Sequence, residues 1–225
     1  MANVGCKIIT DFVRPDKSLV EAFRGIPVAN IDDCMNRMAA VHEDINPVNK
    51  TKLLGIAFTV KVPNGDNLMF HKAMDLAKEG DVIVIDAGGD TSRAIFGEIM
   101  TSYCKSRKLA GLIIDGSIRD YDALSKMDFP VYARGVTPNG PYKNGPGEIN
   151  TVISFGGQIV HPGDIIAGDE DGIIIIKPEE AEELASKAKA ISAGEEDTKN
   201  DIEKNGRFDR PWVDQKLKAI NCTIE

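Results

Sequence analysis

Apolar residues recur along this chain at two spacings, and the alternation between them lays out the elements. Across residues 17–40, Val20, Phe23, Val28, Ile31 and Met35 stand three to five positions apart, which predicts helix. Pro27 interrupts it, because a proline ring and its missing N–H break a helix interior. Ile56–Val62 is β-branched and partly alternating, a strand pattern. Asn67–Ala77 returns to helical spacing. Asp81–Asp86 is a short apolar run bounded by turn residues, which predicts a strand buried on both faces. After Ala87-Gly88-Gly89-Asp90, Ile95, Phe96, Ile99, Met100, Tyr103 and Cys104 fall into one helical stripe, predicting a helix from near Ser92. Gly111–Asp115 is the next strand. Strand, helix and strand of these lengths make a βαβ unit, whose strands run parallel. Phe129–Arg134 continues the pattern.

Beyond residue 150 the texture changes. Val152–Phe155, Gln158–His161, Asp164–Ala167 and Ile173–Lys177 are short strands spaced by Gly, Pro and Asp, a hairpin-rich antiparallel pattern. Asp169-Glu170-Asp171-Gly172 has the acidity of a calcium loop but lacks its alternating ligand spacing and closing Glu. It lies between two strands and ends in Asp-Gly, so it reads as a turn. From Pro178 the chain is helical again, passing into a polar tail through Trp212. The expectation is a mixed α/β fold in one domain: a core over about residues 25–177, with a parallel βαβ part and a hairpin-rich part, and a C-terminal helical extension over 178–225.

Composition narrows the function. With 35 acidic against 27 basic residues, the net charge of −8 argues against nucleic acid, whose phosphates reward Lys and Arg. Cys6, Cys34, Cys104 and Cys222 show no CxxC spacing, which predicts reduced thiols. No apolar run reaches the length of a membrane span. Met1–Gly5 has no basic segment leading into an apolar one, so the expectation is a cytoplasmic protein. His42, His71 and His161 are scattered and fit no nucleophile or zinc motif, so each reads as an ordinary surface or core histidine.

Two segments carry candidate chemistry. Asp86-Ala87-Gly88-Gly89-Asp90 follows a strand with glycines that let backbone N–H groups converge on an anion, without continuing into a dinucleotide-binding G-x-G-x-x-G. Asp115-Gly116-Ser117-Ile118-Arg119-Asp120 follows the next strand at the same end of the βαβ unit, where ligands of parallel sheets bind. Arg119 offers a planar fork for a carboxylate, and Asp120 a hard oxygen suited to Mg²⁺ or Mn²⁺.

These segments resemble a known family. Gly80–Asp86, then Gly97-Glu98, then Gly111–Asp120 are similar to the 4-hydroxy-4-methyl-2-oxoglutarate aldolases, a family that also includes the regulator of ribonuclease E activity A. Gly65-Asp66-Asn67, Phe129–Gly135, and His161-Pro162-Gly163-Asp164 through Asp171–Ile174 extend the similarity over roughly residues 25–180. The aldolase branch carries an acidic residue, twenty intervening residues, then Arg-Asp; here these are Glu98, residues 99–118, and Arg119-Asp120. The resemblance implies a swivelling β/β/α fold. It implies that backbone amides of Gly97, Glu98, Ile99 and Met100 hold a pyruvate carboxylate, that Arg119 contacts substrate oxygens, and that Asp120 binds Mg²⁺ or Mn²⁺ directly. It also implies that Glu98 orders water on that ion, together with a Glu from the extension of a neighbouring subunit, Glu195 or Glu196. Where some members have an acidic residue three positions after the Asp, this chain has Ala123, with Asp122 one earlier. Carboxylate capture by Gly97–Met100 needs a helix that starts near Gly97, which competes with the start near Ser92.

The resemblance implies a metal-dependent lyase that passes through a pyruvate enolate, by retro-aldol cleavage or by decarboxylation of oxaloacetate, working as a trimer or dimer of trimers. The alternative in the same family is a non-catalytic regulator that binds an RNA-processing enzyme. Those regulators are shorter and lack the extension, so the extension and the Glu98, Arg119, Asp120 set favour the enzyme. An older label for such sequences, a menaquinone-pathway methyltransferase, finds no cofactor-binding glycine motif here. The partner expected is a small 2-oxo acid, with Asn67, His71, Asn139 and Tyr142 as candidate pocket residues.

Overall fold

Strands form where the chain is densest in apolar and β-branched residues, and the longest of them becomes the hub of the sheet. The computed structural model describes residues 4–223. In chain order the elements are β1 (Cys6–Ile8), α1 (Lys17–Glu21), α2 (Val28–Cys34), β2 (Asn46–Pro47), β3 (Leu53–Lys61), α3 (Leu68–Leu76), β4 (Asp81–Asp86), β5 (Ala94–Phe96) and α4 (Glu98–Ser106). There follow β6 (Gly111–Ile118), α5 (Tyr121–Ser125), β7 (Val131–Val136), β8 (Gly147–Ile149), β9 (Ile153–Phe155), β10 (Gln158–Val160), β11 (Ile165–Asp169), β12 (Gly172–Ile176), α6 (Ala181–Asn205) and α7 (Pro211–Ala219).

Strands β3, β4, β6 and β7 lie side by side and parallel, joined by crossovers that carry α3, α4 and α5. Because side chains alternate along a strand, Ile83 and Ile85 enter a core with Phe58, Phe70, Phe96 and Leu112 on the helix side. Val82 and Val84 enter a second core with Ile113, Phe155 and Val160 beneath the β9–β10 hairpin. A third core joins α1, α2 and the first turns of α6 to β11 and β12 through Phe23, Ile31, Ile165, Ile174 and Leu184. The architecture is thus mixed α/β, with the parallel part, the hairpin part and the C-terminal helical extension in the expected order.

Some boundaries differ. Helix in the 17–40 stretch ends at Cys34; Pro27 lies at the break between α1 and α2, as expected, and serves as the N-cap of α2. The predicted helix from near Ser92 is wrong. Ala94–Phe96 is strand, Gly97 is extended (φ −151°, ψ −156°), and α4 begins at Glu98. The apolar stripe combines residues from both sides of this reversal. Ile95 and Phe96 reach the core from a strand, while Ile99 is 83% exposed. β6 runs on to Ile118 because β5 and β7 pair with its far end. The hairpin of β11 and β12 turns at Glu170-Asp171, as a turn reading of Asp169–Gly172 requires. Among the described residues no helix is long and apolar enough to cross a membrane, and the four cysteines are free.

Candidate active site

The parallel strands end on one edge, and there the chain makes two sharp departures that face each other. From β5 it enters α4 through Gly97; from β6 it enters α5 through Asp120. Arg119 N–H donates to the Phe96 carbonyl at 3.0 Å, which fixes the two departures against one another. Asp120 holds a left-handed backbone (φ 59°, ψ 38°), uncommon for a residue with a side chain and tolerated best by Asn and Asp. That turn directs its carboxylate to the start of α4, where Oδ2 accepts the Glu98 N–H at 3.0 Å and lies 3.7 Å from Arg119 Nε. Gly97 is required by this approach and not by its own torsions. A Cβ there would stand 2.9 Å from Arg119 Cγ and 3.0 Å from Asp120 Cγ.

The first turn of a helix leaves N–H groups without intrahelical acceptors. Among the described residues no oxygen takes up those of Ile99 and Met100. They open into a cleft of about 300 Å³ together with Gly97, Arg119 and Asp120. Its opposite wall is Asn67, His71, Pro141 and Lys143. Asn67 is buried; its Nδ2 donates to the Ile95 carbonyl at 2.8 Å, and its Oδ1 has no donor. Burial lowers the pKa of His71, and the Lys143 charge lowers it further. The cleft is therefore a cationic pocket with a helix N-terminus on one side, a combination that favours a small anion.

A family model described as RraA-like, Aldolase/RraA, matches residues 28–175. The chain belongs to the RraA-like family. A protein of Halalkalibacterium halodurans named "Putative 4-hydroxy-4-methyl-2-oxoglutarate aldolase" is 39% identical over 199 residues, spanning 88% of this chain and 95% of its own. Among solved structures, an uncharacterized protein from Pseudomonas syringae superposes with a TM-score of 0.77 at 22% identity, over 86% of this chain and 96% of its own. The RNA-processing inhibitor RraA of Thermus thermophilus matches with a TM-score of 0.62 at 23% identity, over 67% of this chain and 92% of its own. At these identities the two structures show the fold.

Of the residues expected at the site of this RraA-like chain, Gly97, Ile99, Met100, Arg119 and Asp120 line one cleft. Glu98 sits at its rim with an exposed side chain, and its amide is engaged by Asp120. Glu195 and Glu196 are exposed on α6, which contributes no residue to the cleft. Asp122 is exposed and paired with Lys126 Nζ at 2.7 Å. Asn67 and His71 line the wall as expected. Asn139 and Tyr142 instead hold the loop that carries it: the Asn139 carbonyl accepts the Ala94 N–H, and Arg93 donates to the Tyr142 hydroxyl. Sequence reasoning missed Lys143, and it missed what Asp66 does for that loop. The one available signal was Gly65-Asp66-Asn67, a turn before a helix.

Asp120 Oδ2 is committed, while Oδ1 has no partner among the described residues. No group of three or more His, Cys, Asp or Glu gathers there or elsewhere among the described residues. One free carboxylate oxygen beside an exposed Glu98 suits a hard ion that keeps most of its water, as Mg²⁺ does, and does not suit tetrahedral zinc.

Proposed function

We propose that this chain is a divalent-cation-dependent carbon–carbon lyase of the cytoplasm that cleaves 4-hydroxy-2-oxo acids, such as 4-hydroxy-4-methyl-2-oxoglutarate, to pyruvate and also decarboxylates oxaloacetate. The observation that carries the reading is the convergence of the free α4 amides, the uncommitted fork of Arg119 and the Asp120 carboxylate on one small cleft. The name of the H. halodurans relative supports the reaction class. Its alignment spans 88% of this chain, so it includes part of the C-terminal extension.

In this scheme the substrate carboxylate sits on the Ile99 and Met100 N–H groups at the positive end of α4. Arg119 presents two parallel donors to the 2-oxo oxygen. The 4-hydroxyl gives up its proton to solvent in the open cleft, the C3–C4 bond breaks to leave a carbonyl at C4, and the electron pair of that bond moves into the pyruvate fragment as an enolate. Negative charge gathers on the 2-oxo oxygen, where Arg119 already stands, so the stabilisation is preorganised. A proton then returns to C3. Loss of CO₂ from oxaloacetate leaves the same enolate, so one site serves both reactions. Asp120 would hold Mg²⁺ or Mn²⁺ directly, and Glu98, with Glu195 or Glu196 of a neighbouring copy in a trimer or dimer of trimers, through water. When bound, that ion supplies Lewis-acid polarisation of the same oxygen.

The test is pyruvate release across a panel of 4-hydroxy-2-oxo acids and oxaloacetate, with Mg²⁺ or Mn²⁺ and after exhaustive chelation. The expected result is metal-dependent release from at least one of them. No release from any, or full activity after chelation, refutes the reading.

A further inference from the structure

Arg119 carries the fork that meets an anion at the start of α4, yet no bond holds that fork in place. Asp120 Oδ2 lies 3.7 Å from its Nε, beyond hydrogen-bond length, and no other acceptor reaches the guanidinium among the described residues. Packing must therefore do what hydrogen bonds do not. The stem is wedged at Gly97, where a Cβ would stand 2.9 Å from Arg119 Cγ. The tip reaches Gly140, where a Cβ would rest 3.5 Å from Nη1. The loop that carries Gly140 is thus the stop for the fork.

That loop joins β7 to β8 through residues 137–146, without helix or strand of its own, so its position is set from outside. Asp66, 4% exposed, supplies the main fastening. Its Oδ1 accepts the Leu68 N–H at 2.9 Å on its own turn into α3. Its Oδ2 accepts the N–H groups of Asn144 at 2.6 Å and Gly145 at 3.0 Å in the loop. Tyr142 adds two backbone bonds to the same turn, donating to Gly65 at 2.8 Å and accepting from Asn67 at 3.0 Å. Arg93 donates to the Gly140 carbonyl at 2.8 Å. The three bonds to the buried carboxylate are charge-assisted, which makes each roughly twice as strong as a neutral one.

We infer that Asp66 is a positioning residue: its carboxylate fixes the 137–146 loop, and the loop in turn sets the fork of Arg119 for the anion held at α4. That Arg119 meets an enolate oxygen rests on the lyase reading above; the clamp and its effect on anion capture do not. Asparagine is the discriminating substitution. It matches aspartate in size, but one of its two polar atoms is an NH₂ donor, which faces a backbone N–H whichever way the amide turns. Either the Leu68 bond or the pair from Asn144 and Gly145 is then lost.

The experiment is a double-mutant cycle on the full-length protein in Mg²⁺ buffer. Its readout is calorimetric binding of oxalate, a planar dianion able to span the α4 amides and Arg119. Asp66→Asn should weaken oxalate on the order of tenfold, the loss of one of two parallel charge-assisted contacts. In an Arg119→Lys background, which has no fork to set, the same substitution should cost less than about twofold. Amide exchange at Asn144 and Gly145 should speed up on the order of tenfold or more, while the amides of β4 and β6 keep parental rates. A purely structural role would instead speed exchange throughout and weaken oxalate by the same factor in both backgrounds. That result overturns the inference, as does an Asp66→Asn protein with parental oxalate affinity or a parent that binds no oxalate. Should Asp66→Asn not fold, the parent decides. Asn144 and Gly145 amides that exchange as fast as those of an unstructured chain refute the clamp, and slow exchange there supports it. Pyruvate release is read separately. A parent that releases none but shows the non-additive loss removes the lyase reading and leaves the role of Asp66. A parent that releases pyruvate while the losses add does the reverse.

Discussion

Gly97→Ala is the sharpest perturbation available at this site, because it acts through space and not through the backbone. The φ of −151° is open to any residue, so alanine carries no torsional cost. Its Cβ, however, would meet Arg119 Cγ at 2.9 Å and Asp120 Cγ at 3.0 Å, with Asp120 Oδ2 closer still. Carbon atoms in contact settle roughly 3.5–4.0 Å apart. Asp120 must therefore retreat by about 0.5–1 Å, and its bond from the Glu98 amide is lost. That bond joins a carboxylate that is 42% exposed, so solvent screening limits the stability loss to about 1 kcal/mol. Catalysis should suffer far more, since a displacement of about 1 Å in positioned groups costs on the order of a hundredfold. The assay is kcat/KM for pyruvate release beside thermal unfolding and calorimetric Mg²⁺ binding. Gly194→Ala is the control, because a Cβ there meets nothing within 4 Å. A Gly97→Ala protein with parental turnover and parental metal affinity would refute the reasoning.

Asp120→Ala should abolish metal-dependent turnover with little rescue by excess metal, while Arg119→Lys should retain metal binding by calorimetry and lose on the order of a hundredfold in kcat/KM, the scale of one preorganised oxyanion donor. Arg14→Ala should destabilise the fold by roughly 3 kcal/mol in urea titrations, because it strips the bidentate partner, at 2.9 and 2.7 Å, from the fully buried Asp81 carboxylate. Asp86→Asn should change how stability depends on pH. Burial raises the Asp86 pKa above its ordinary 3.8, and the Asp115 charge adds to this against the Gly88 amide and Lys61. The folded state thus holds that proton more tightly than the unfolded chain, and the stability it confers is present below pH 3.8 and lost as pH rises through the raised value. The variant cannot ionise, so it should be more stable than the parent at neutral pH and lose that advantage below 3.8; equal differences at every pH would contradict this.

Much of the fold is legible in the chain because apolar periodicity reports burial. The runs at Asp81–Asp86 and Gly111–Asp115 are buried on both faces, and an uninterrupted apolar strand is stable in water only when both of its faces are covered. Periodicity fails at Ile95–Tyr103, where core residues from a strand and exposed residues from the following helix add up to one apparent stripe. Short strands such as β1 and β8 are not legible. Gly147-Glu148-Ile149 has no apolar run, and its strand exists through pairing with Cys6–Ile8 and with Val60-Lys61 far off in sequence. At the site, Arg119-Asp120 can be read as chemistry because both side chains follow a recognisable strand. Lys143 cannot, since what places it is the buried carboxylate of Asp66, distant in sequence, whose hydrogen bonds to Asn144 and Gly145 leave no periodic trace.

The double pairing of β3 bears on how the chain comes to fold during synthesis. One edge of β3 is covered over Ile56–Lys61 by β4, which follows it closely. The other edge is shared, with β11 on Leu53–Ile56 and β8 on Val60-Lys61. Neither of those partners exists until most of the chain has been made. From the moment Lys61 emerges until Asp169 has left the ribosome, the central strand offers an open row of N–H and C=O groups, the kind of edge that pairs with another chain. Contacts between residues so far apart in sequence also close slowly. The arrival of β11 is therefore the step that closes the open edge of β3.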